Sequence, residues 1–214
     1  MLVRTWNLFH GNASPPERRA FLPRMIELVT HDRPDVVCLQ ELPVWALRHL
    51  ERWSGMHASG AVARRPLLPL GGRPVTALHH GLFRSAVTGE ADAILTREPS
   101  RPLGVQVVGQ EKLRRIAHAV DVGGVSVVNF HIDGNRAQFD RVVALARERA
   151  IVAGDANIVS PVADGFSAPL AGSVDQILVR GLTLLDGPAA WPLERRVVGG
   201  RTLSDHAPVE AVVG

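Results

Sequence analysis

A strand buried on both faces has no reason to end in an amide, a carboxylate or an imidazole unless that group meets a partner or a ligand. This chain breaks that rule repeatedly. Asn7 ends the apolar run Leu2 to Leu8, and Gln40-Glu41 ends the run that starts at Asp35. Asn129 and His131 end Val-Val-Asn-Phe-His, and Gly154-Asp155-Ala156-Asn157 follows Ile-Val-Ala. Asp175 opens Val-Asp-Gln-Ile-Leu-Val, and Ser204-Asp205-His206 precedes Ala-Pro-Val-Glu-Ala-Val-Val. Strands laid side by side would gather these groups at one edge. Glu41, Asp155 and Asp205 are hard oxygen donors of the kind Mg²⁺ prefers, with positions left for water and a phosphate. The amides of Asn7 and Asn157 can orient water or bond a phosphate oxygen without adding repulsive charge.

The remaining pattern is strands alternating with a few arginine-rich helical stretches. Strands are expected at Leu2 to Leu8, Asp35 to Gln40, Ala93 to Leu95, Val105 to Val108, Ala117 to Val122 and Val125 to Phe130, the last two joined by a Gly123-Gly124 hairpin turn. Ile151 to Ala153, Val174 to Val179, Leu182 to Leu185 and Val209 to Val213 complete the set. A helical stretch opens at Pro15-Pro16, with Phe21, Met25, Leu28 and Val29 at helical spacing and Pro23 as an interruption. A short helix is expected over Val44 to Trp53, and an amphipathic one over Asn135 to Arg149. Ser54 to Thr76, rich in Gly, Pro and Arg, reads as loop with room for one strand. No linker or repeat divides the chain, so one α/β domain over residues 1–214 is the expectation.

Composition narrows the class. With 46% hydrophobic and 21% charged residues, the 214-residue chain is no disordered, collagen-like or disulfide scaffold. No apolar run approaches the roughly 18 residues of a membrane span. Met1 to Asn7 enters a strand pattern without the charged and apolar regions of a signal peptide. The single cysteine, Cys38, has no partner for a bridge, so a reducing cytoplasm is the expected setting. The pI near 10.3 overstates basicity. The net charge is only +3, and with one lysine and no tyrosine almost nothing loses a proton before arginine does.

Taken in order, Arg4-Thr5-Trp6-Asn7-Leu8, Val37-Cys38-Leu39-Gln40-Glu41, Asn129-Phe130-His131-Ile132, Gly154-Asp155-Ala156-Asn157, Val174-Asp175-Gln176-Ile177-Leu178 and Ser204-Asp205-His206-Ala207-Pro208 span nearly the whole chain. Together they resemble the endonuclease/exonuclease/phosphatase superfamily, the DNase I-like fold. The resemblance implies a four-layer αββα sandwich, two packed mixed sheets flanked by helices. It also implies a site of Mg²⁺- or Mn²⁺-dependent phosphoester hydrolysis by direct water attack. Glu41 would hold the metal, with Asn7 and Asp205 completing its surroundings. Asp155 would align or deprotonate the attacking water, and Asn157, with Asn7, would bond phosphate oxygens. His206, oriented by Asp175, would stabilise the transition state or act as general acid or base, and His131 would be a second donor. Arg115, or its neighbour Arg114, matches an arginine-bearing segment of the family and would contact a phosphate.

Two positions depart from the DNA-repair branch: Phe9 stands where that branch carries an acid, and His131 where it carries tyrosine. The implied substrate is a phosphodiester, with a nuclease as leading subtype. A phosphatase or phosphodiesterase acting on a small-molecule or lipid phosphoester is the alternative, and a non-catalytic binding module the third. Nucleic acid is therefore a candidate partner, while no protein partner is legible. His10, His79, His80 and His118 lack ligand spacing and read as satisfied or solvent-facing histidines. Trp6, Trp45, Trp53 and Trp191 read as core or rim rather than as base-stacking platforms.

Overall fold

The computed structural model describes residues 1–17, 20–67 and 86–214. Period-two alternation decides its architecture. In β1 (Leu2–Asn7), Val3, Thr5 and Asn7 point one way and Arg4 and Trp6 the other. β3 (Val36–Leu42) lies parallel to β1 and repeats the division, with Val36 and Cys38 on one side and Val37 and Leu39 on the other. With β4 (His57–Arg64), β5 (Glu90–Thr96), β11 (Leu184–Ala190) and β14 (Val209–Val213), these form a six-stranded sheet ordered β11-β14-β1-β3-β5-β4. A five-stranded sheet, β10-β9-β8-β7-β6, joins β6 (Arg101–Gly109), β7 (Arg115–Val122), β8 (Val125–His131), β9 (Ala150–Asp155) and β10 (Asp175–Arg180). Each sheet is mixed, since β1–β3 and β8–β9 are parallel pairs among antiparallel ones. A small third sheet joins β2 (Ala13–Ser14), β12 (Val197–Val198) and β13 (Arg201–Leu203).

The two large sheets pack face to face. Val3, Val36, Cys38 and Ile94 of one meet Val120, Val127, Ile151 and Ile177 of the other, all fully buried. On the first sheet's outer face, Trp6, Val37 and Leu39 lie under α1 (Leu22–Thr30) and α2 (Leu50–Ser54). On the second sheet's outer face, Phe130, Val152 and Leu178 are covered by Phe139 and Val142 of α3 (Arg136–Val143). The result is the four-layer αββα sandwich. Burying each of these large side chains contributes about 1.5–3 kcal/mol relative to exposure. Among the described residues, no helix is long and apolar enough to cross a membrane.

Several expected elements shift for local reasons. Pro23 does not interrupt α1, because the helix begins at Leu22 and Pro23 stands in its first turn, where a missing N–H is harmless. The stretch Val44 to Trp53 is a 3₁₀ run, Val44–His49, followed by the short α2. α3 stops at Val143 rather than Arg149. There the N–H groups of Leu145 and Ala146 bond back to Val142 and Val143, and Arg180 donates to the carbonyls of Ala146 and Arg147. That turn lets Ala150 pair with Ser126 at the head of β9. The strand expected at Leu182 to Leu185 is β11, which runs through Asp186-Gly187-Pro188 by shifting register against β14. The loop read over Ser54 to Thr76 contains β4, and its remainder past residue 67 lies outside the described residues, as do His79 and His80.

Candidate active site

Strand ends of both sheets meet at one edge of the sandwich. Parallel pairing of β8 and β9 sets His131 opposite Asp155, and antiparallel pairing of β9 and β10 sets Asp175 opposite Asp155. Those three side chains therefore stand in a row. From the facing sheet come Asn7 at the end of β1 and Glu41 near the end of β3. Strict alternation would turn Glu41 outward with Leu39. A bulge between Leu39 and Leu42, with Glu41 at φ 54°, re-aims it into the site. Gly154 is required for the row: a Cβ there would lie 2.0 Å from the Phe130 carbonyl oxygen.

Asp155, only 1% exposed, is the centre. Its Oδ2 accepts from Asn7 Nδ2 at 3.0 Å, and its Oδ1 accepts from the Asn157 N–H at 2.9 Å. The same Asn7 Nδ2 lies 3.2 Å from Glu41 Oε1 and spaces the two carboxylates apart. His131 Nε2 and His206 Nε2 approach Asp155 Oδ2 from two sides, at 3.7 and 3.8 Å. Two imidazoles thus point one nitrogen each at a single carboxylate oxygen.

Each ring is held from behind. His206 Nδ1 is 2.8 Å from Asp175 Oδ2. Burial alone would lower its pKa, but Asp175, Asp155 and Asp205 outweigh burial and lift it to about 9. Its backbone is fixed too. The His206 carbonyl accepts from Trp6 Nε1 at 2.9 Å, and Arg196 Nη1 donates to the carbonyls of Leu203, Ser204 and His206 at 2.9–3.2 Å. His131 is fully enclosed. Burial pushes it down, whereas Glu90, Glu41 and Asp155 raise it to about 9 against the repulsion of Arg115. Its Nδ1 lies 3.4 Å from Glu90 Oε1 and 3.0 Å from Arg115 Nη1. Glu90 serves that nitrogen when it is protonated and Arg115 when it is bare. In both states Nε2 keeps a proton directed at Asp155.

The other expected residues are distributed less evenly. Arg115 is buried, with Nη1 2.6 Å from Glu90 and Nε 2.7 Å from Asp133, while Arg114 bonds the carbonyls of Val62 and Ala63. Asn157 is exposed, and its side-chain amide donates to the Ile132 carbonyl. Asp205 is exposed, and among the described residues no ion pair or hydrogen bond joins it to Glu41 or Asn7. Asn7 Oδ1 accepts the Phe9 N–H, so the amide turns its nitrogen rather than its oxygen to the carboxylates. Trp6 and Trp191 are buried, and Trp45 and Trp53 pack at the core's edge.

Sequence reasoning passed over Glu90, Asp92 and Asp133, and it read His10 as a satisfied or solvent-facing histidine. Glu90 and Asp92 share the inner face of β5, and burial pushes the Asp92 carboxyl up to about 8, leaving it protonated at neutral pH. The alternation Glu-Ala-Asp leading into Ala-Ile-Leu was the available signal. Asp133, two residues past His131, carried none until Arg115 was seen beside it. His10 lies 3.5 Å from Glu41 Oε2, brought there by a 3₁₀ turn that no spacing rule indicates. His118 is a core histidine bonded to Ser59, with its pKa pushed down to about 4 by burial.

The donor set suits a hard divalent cation. Asp155, Asp175 and His206 present ligand atoms within 4.8 Å of one another, and Asp175 Oδ1 is buried without a hydrogen-bond partner. His206, protonated at neutral pH, would join the two carboxylates as a ligand only on losing its proton. Glu41 adds a part-exposed carboxylate beside them.

Solved structures share this fold. An endonuclease/exonuclease/phosphatase from Beutenbergia cavernae DSM 12333 superposes with a TM-score of 0.69 at 18% identity, covering 100% of this chain and 71% of that one. A humanized D. rerio TDP2 gives 0.67 at 17% identity, covering 100% and 98%. A mannosyl-6-phosphatase from Bacteroides thetaiotaomicron VPI-5482 gives 0.61 at 17%, covering 100% and 99%. No curated protein sequence matches. The sequence pattern of one family matches residues 5–206, from the first strand to the histidine that closes the site. On that match the chain belongs to the Endonuclease/Exonuclease/phosphatase family, whose members are hydrolases acting on phosphoesters.

Proposed function

We propose that this protein is a Mg²⁺- or Mn²⁺-dependent phosphodiesterase that works by direct water attack, with a nuclease as its leading form. The observation that carries the proposal is the convergence of His131 Nε2 and His206 Nε2 on Asp155 Oδ2. In-line attack on a phosphodiester gathers negative charge on the phosphorus oxygens. Two imidazoles that are protonated at neutral pH in the metal-free protein are suited to donate to those oxygens or to the leaving group. Asp155 would orient a water molecule and take its proton, a role supported by its burial and by its bonds from Asn7 and the Asn157 N–H. A divalent cation held at Glu41 would supply further charge against the phosphate, with Asp205 completing its surroundings and Asn7 joining once its amide turns Oδ1 from the Phe9 N–H toward the cation. Asn157 and Arg115 are assigned to phosphate contact.

A second form, hydrolysis of a small-molecule or lipid phosphoester, is favoured by the low net charge of +3 and the absence of any aromatic stacking pattern. The test is a nicking assay on supercoiled plasmid with Mg²⁺ or Mn²⁺, beside bis(p-nitrophenyl) phosphate and an Asp155→Ala control. Metal-dependent nicking lost in the control supports the nuclease. Intact plasmid with cleavage of the small diester moves the assignment to the second form. Inactivity on both substrates refutes the phosphodiesterase proposal.

A further inference from the structure

Glu41 reaches the site only because β3 bulges, and a non-glycine residue at φ 54° holds that shape only when its surroundings over-determine it. The surroundings come from the opposite sheet. Asn129, on the inner face of β8 and fully buried, donates from Nδ2 to the Leu39 carbonyl and to the Ala93 carbonyl, each at 2.9 Å. Leu39 and Ala93 are the last regular β3–β5 pair before the bulge. The Oδ1 of Asn129 accepts from Gln40 Nε2 at 2.7 Å, and Gln40 is the residue immediately before Glu41. All three hydrogen bonds of this one amide therefore end at the base of the bulge. From the other side, the Gln40 carbonyl accepts the Leu8 N–H at 3.0 Å, and Gln40 Nε2 also reaches Thr5 Oγ1 at 2.9 Å.

We infer that Asn129 is a positioning residue for Glu41: a side chain of one sheet that clamps the bulge of the other and so sets the carboxylate where a cation is bound. Its chemistry fits this task, because one planar amide carries two donors and an acceptor in fixed relation. Serine, threonine and apolar residues lack the second donor. The inference rests on the assignment of Glu41 as a metal ligand.

The experiment measures Mn²⁺ binding by the electron paramagnetic resonance of free Mn²⁺, with thermal unfolding on the same samples. Asn129→Ala is expected to weaken Mn²⁺ binding about 10–100-fold at a temperature where the variant is folded. Asn129→Ser, which keeps one donor, is expected to fall between wild type and Asn129→Ala, and it carries the comparison if the alanine variant does not fold. A role confined to core packing would lower the melting temperature and leave the Mn²⁺ Kd of the folded protein within twofold of wild type. That result overturns the inference. Glu41→Ala separates the two levels: wild-type Mn²⁺ affinity in that variant removes Glu41 as a ligand. Weakened binding in Glu41→Ala with unchanged binding in Asn129→Ala removes only the clamp.

Discussion

Replacing Asp175 by asparagine tests the site most directly. The His206 ring titrates at about 9 rather than 6.5, a difference of roughly 3 kcal/mol in favour of the cation at 1.36 kcal/mol per unit. That stabilisation is already net of burial, which works against the charged ring. The first of the groups opposing burial is Asp175, through its bond of 2.8 Å to Nδ1. Asp175→Asn keeps the shape and an acceptor oxygen but deletes the charge. Asp155 and Asp205 remain, so the pKa should fall by about 1–2 units rather than collapse to that of an unassisted buried ring. Heteronuclear NMR of the metal-free protein across pH reads the shift at the ring nitrogens. The rate on bis(p-nitrophenyl) phosphate with Mn²⁺ should drop by about 10²–10⁴, the usual reach of a positioned proton donor. A His206 that still titrates near 9 in the variant would show that Asp155 and Asp205 set its charge, and the assignment of Asp175 as its orienting partner would be withdrawn.

Other expectations follow from the same structure. Metal-free protein should lose stability as pH rises from about 6.5 through 9, because His131 and His206 bind protons more tightly folded than unfolded; denaturant midpoints across that range measure it. Asp92 works in the same direction, since its raised pKa makes its ionisation costly only in the folded state. Gly154→Ala should destabilise by ~3 kcal/mol or more, because the new methyl meets the Phe130 carbonyl oxygen; a melting temperature near that of wild type would contradict the packing of β8 on β9. Trp6→Phe keeps most of the buried ring area but removes the bond to the His206 carbonyl. It should cost about 1 kcal/mol of stability and lower kcat more than it changes KM.

How much was legible in the sequence differs from residue to residue. The pairing of His206 with Asp175 was implied by family resemblance, and in the structure the two lie in hydrogen-bond contact across 31 positions of sequence. Glu90 and Asp133 were not legible. Each is an acid near a strand end with no motif around it, and only the fold shows that Arg115 and His131 lie against them. Helix ends were misplaced where tertiary contacts intervened, as at Val143, where Arg180 takes carbonyls that a continuing helix would have used. Asn7 and Asp205 show the limit most clearly. Their residue types suit a cation, but the sequence carries no information on which way an amide turns or how far a carboxylate stands from its neighbours.

What the sequence by itself determined is that apolar strand runs end in polar side chains. The period of two then puts Asn7 on the face of Val3, and His131, Asp155 and Asp175 on the faces of Val127, Ala153 and Ile177, while packing of the two sheets makes those the inner faces. Only the tertiary structure decided which strand ends became neighbours. The positions of Glu41, Glu90, Arg115 and Asn129 relative to one another depend on sheet-to-sheet packing and on a single-residue bulge. Such contacts form between segments far apart in sequence, and no local propensity encodes them.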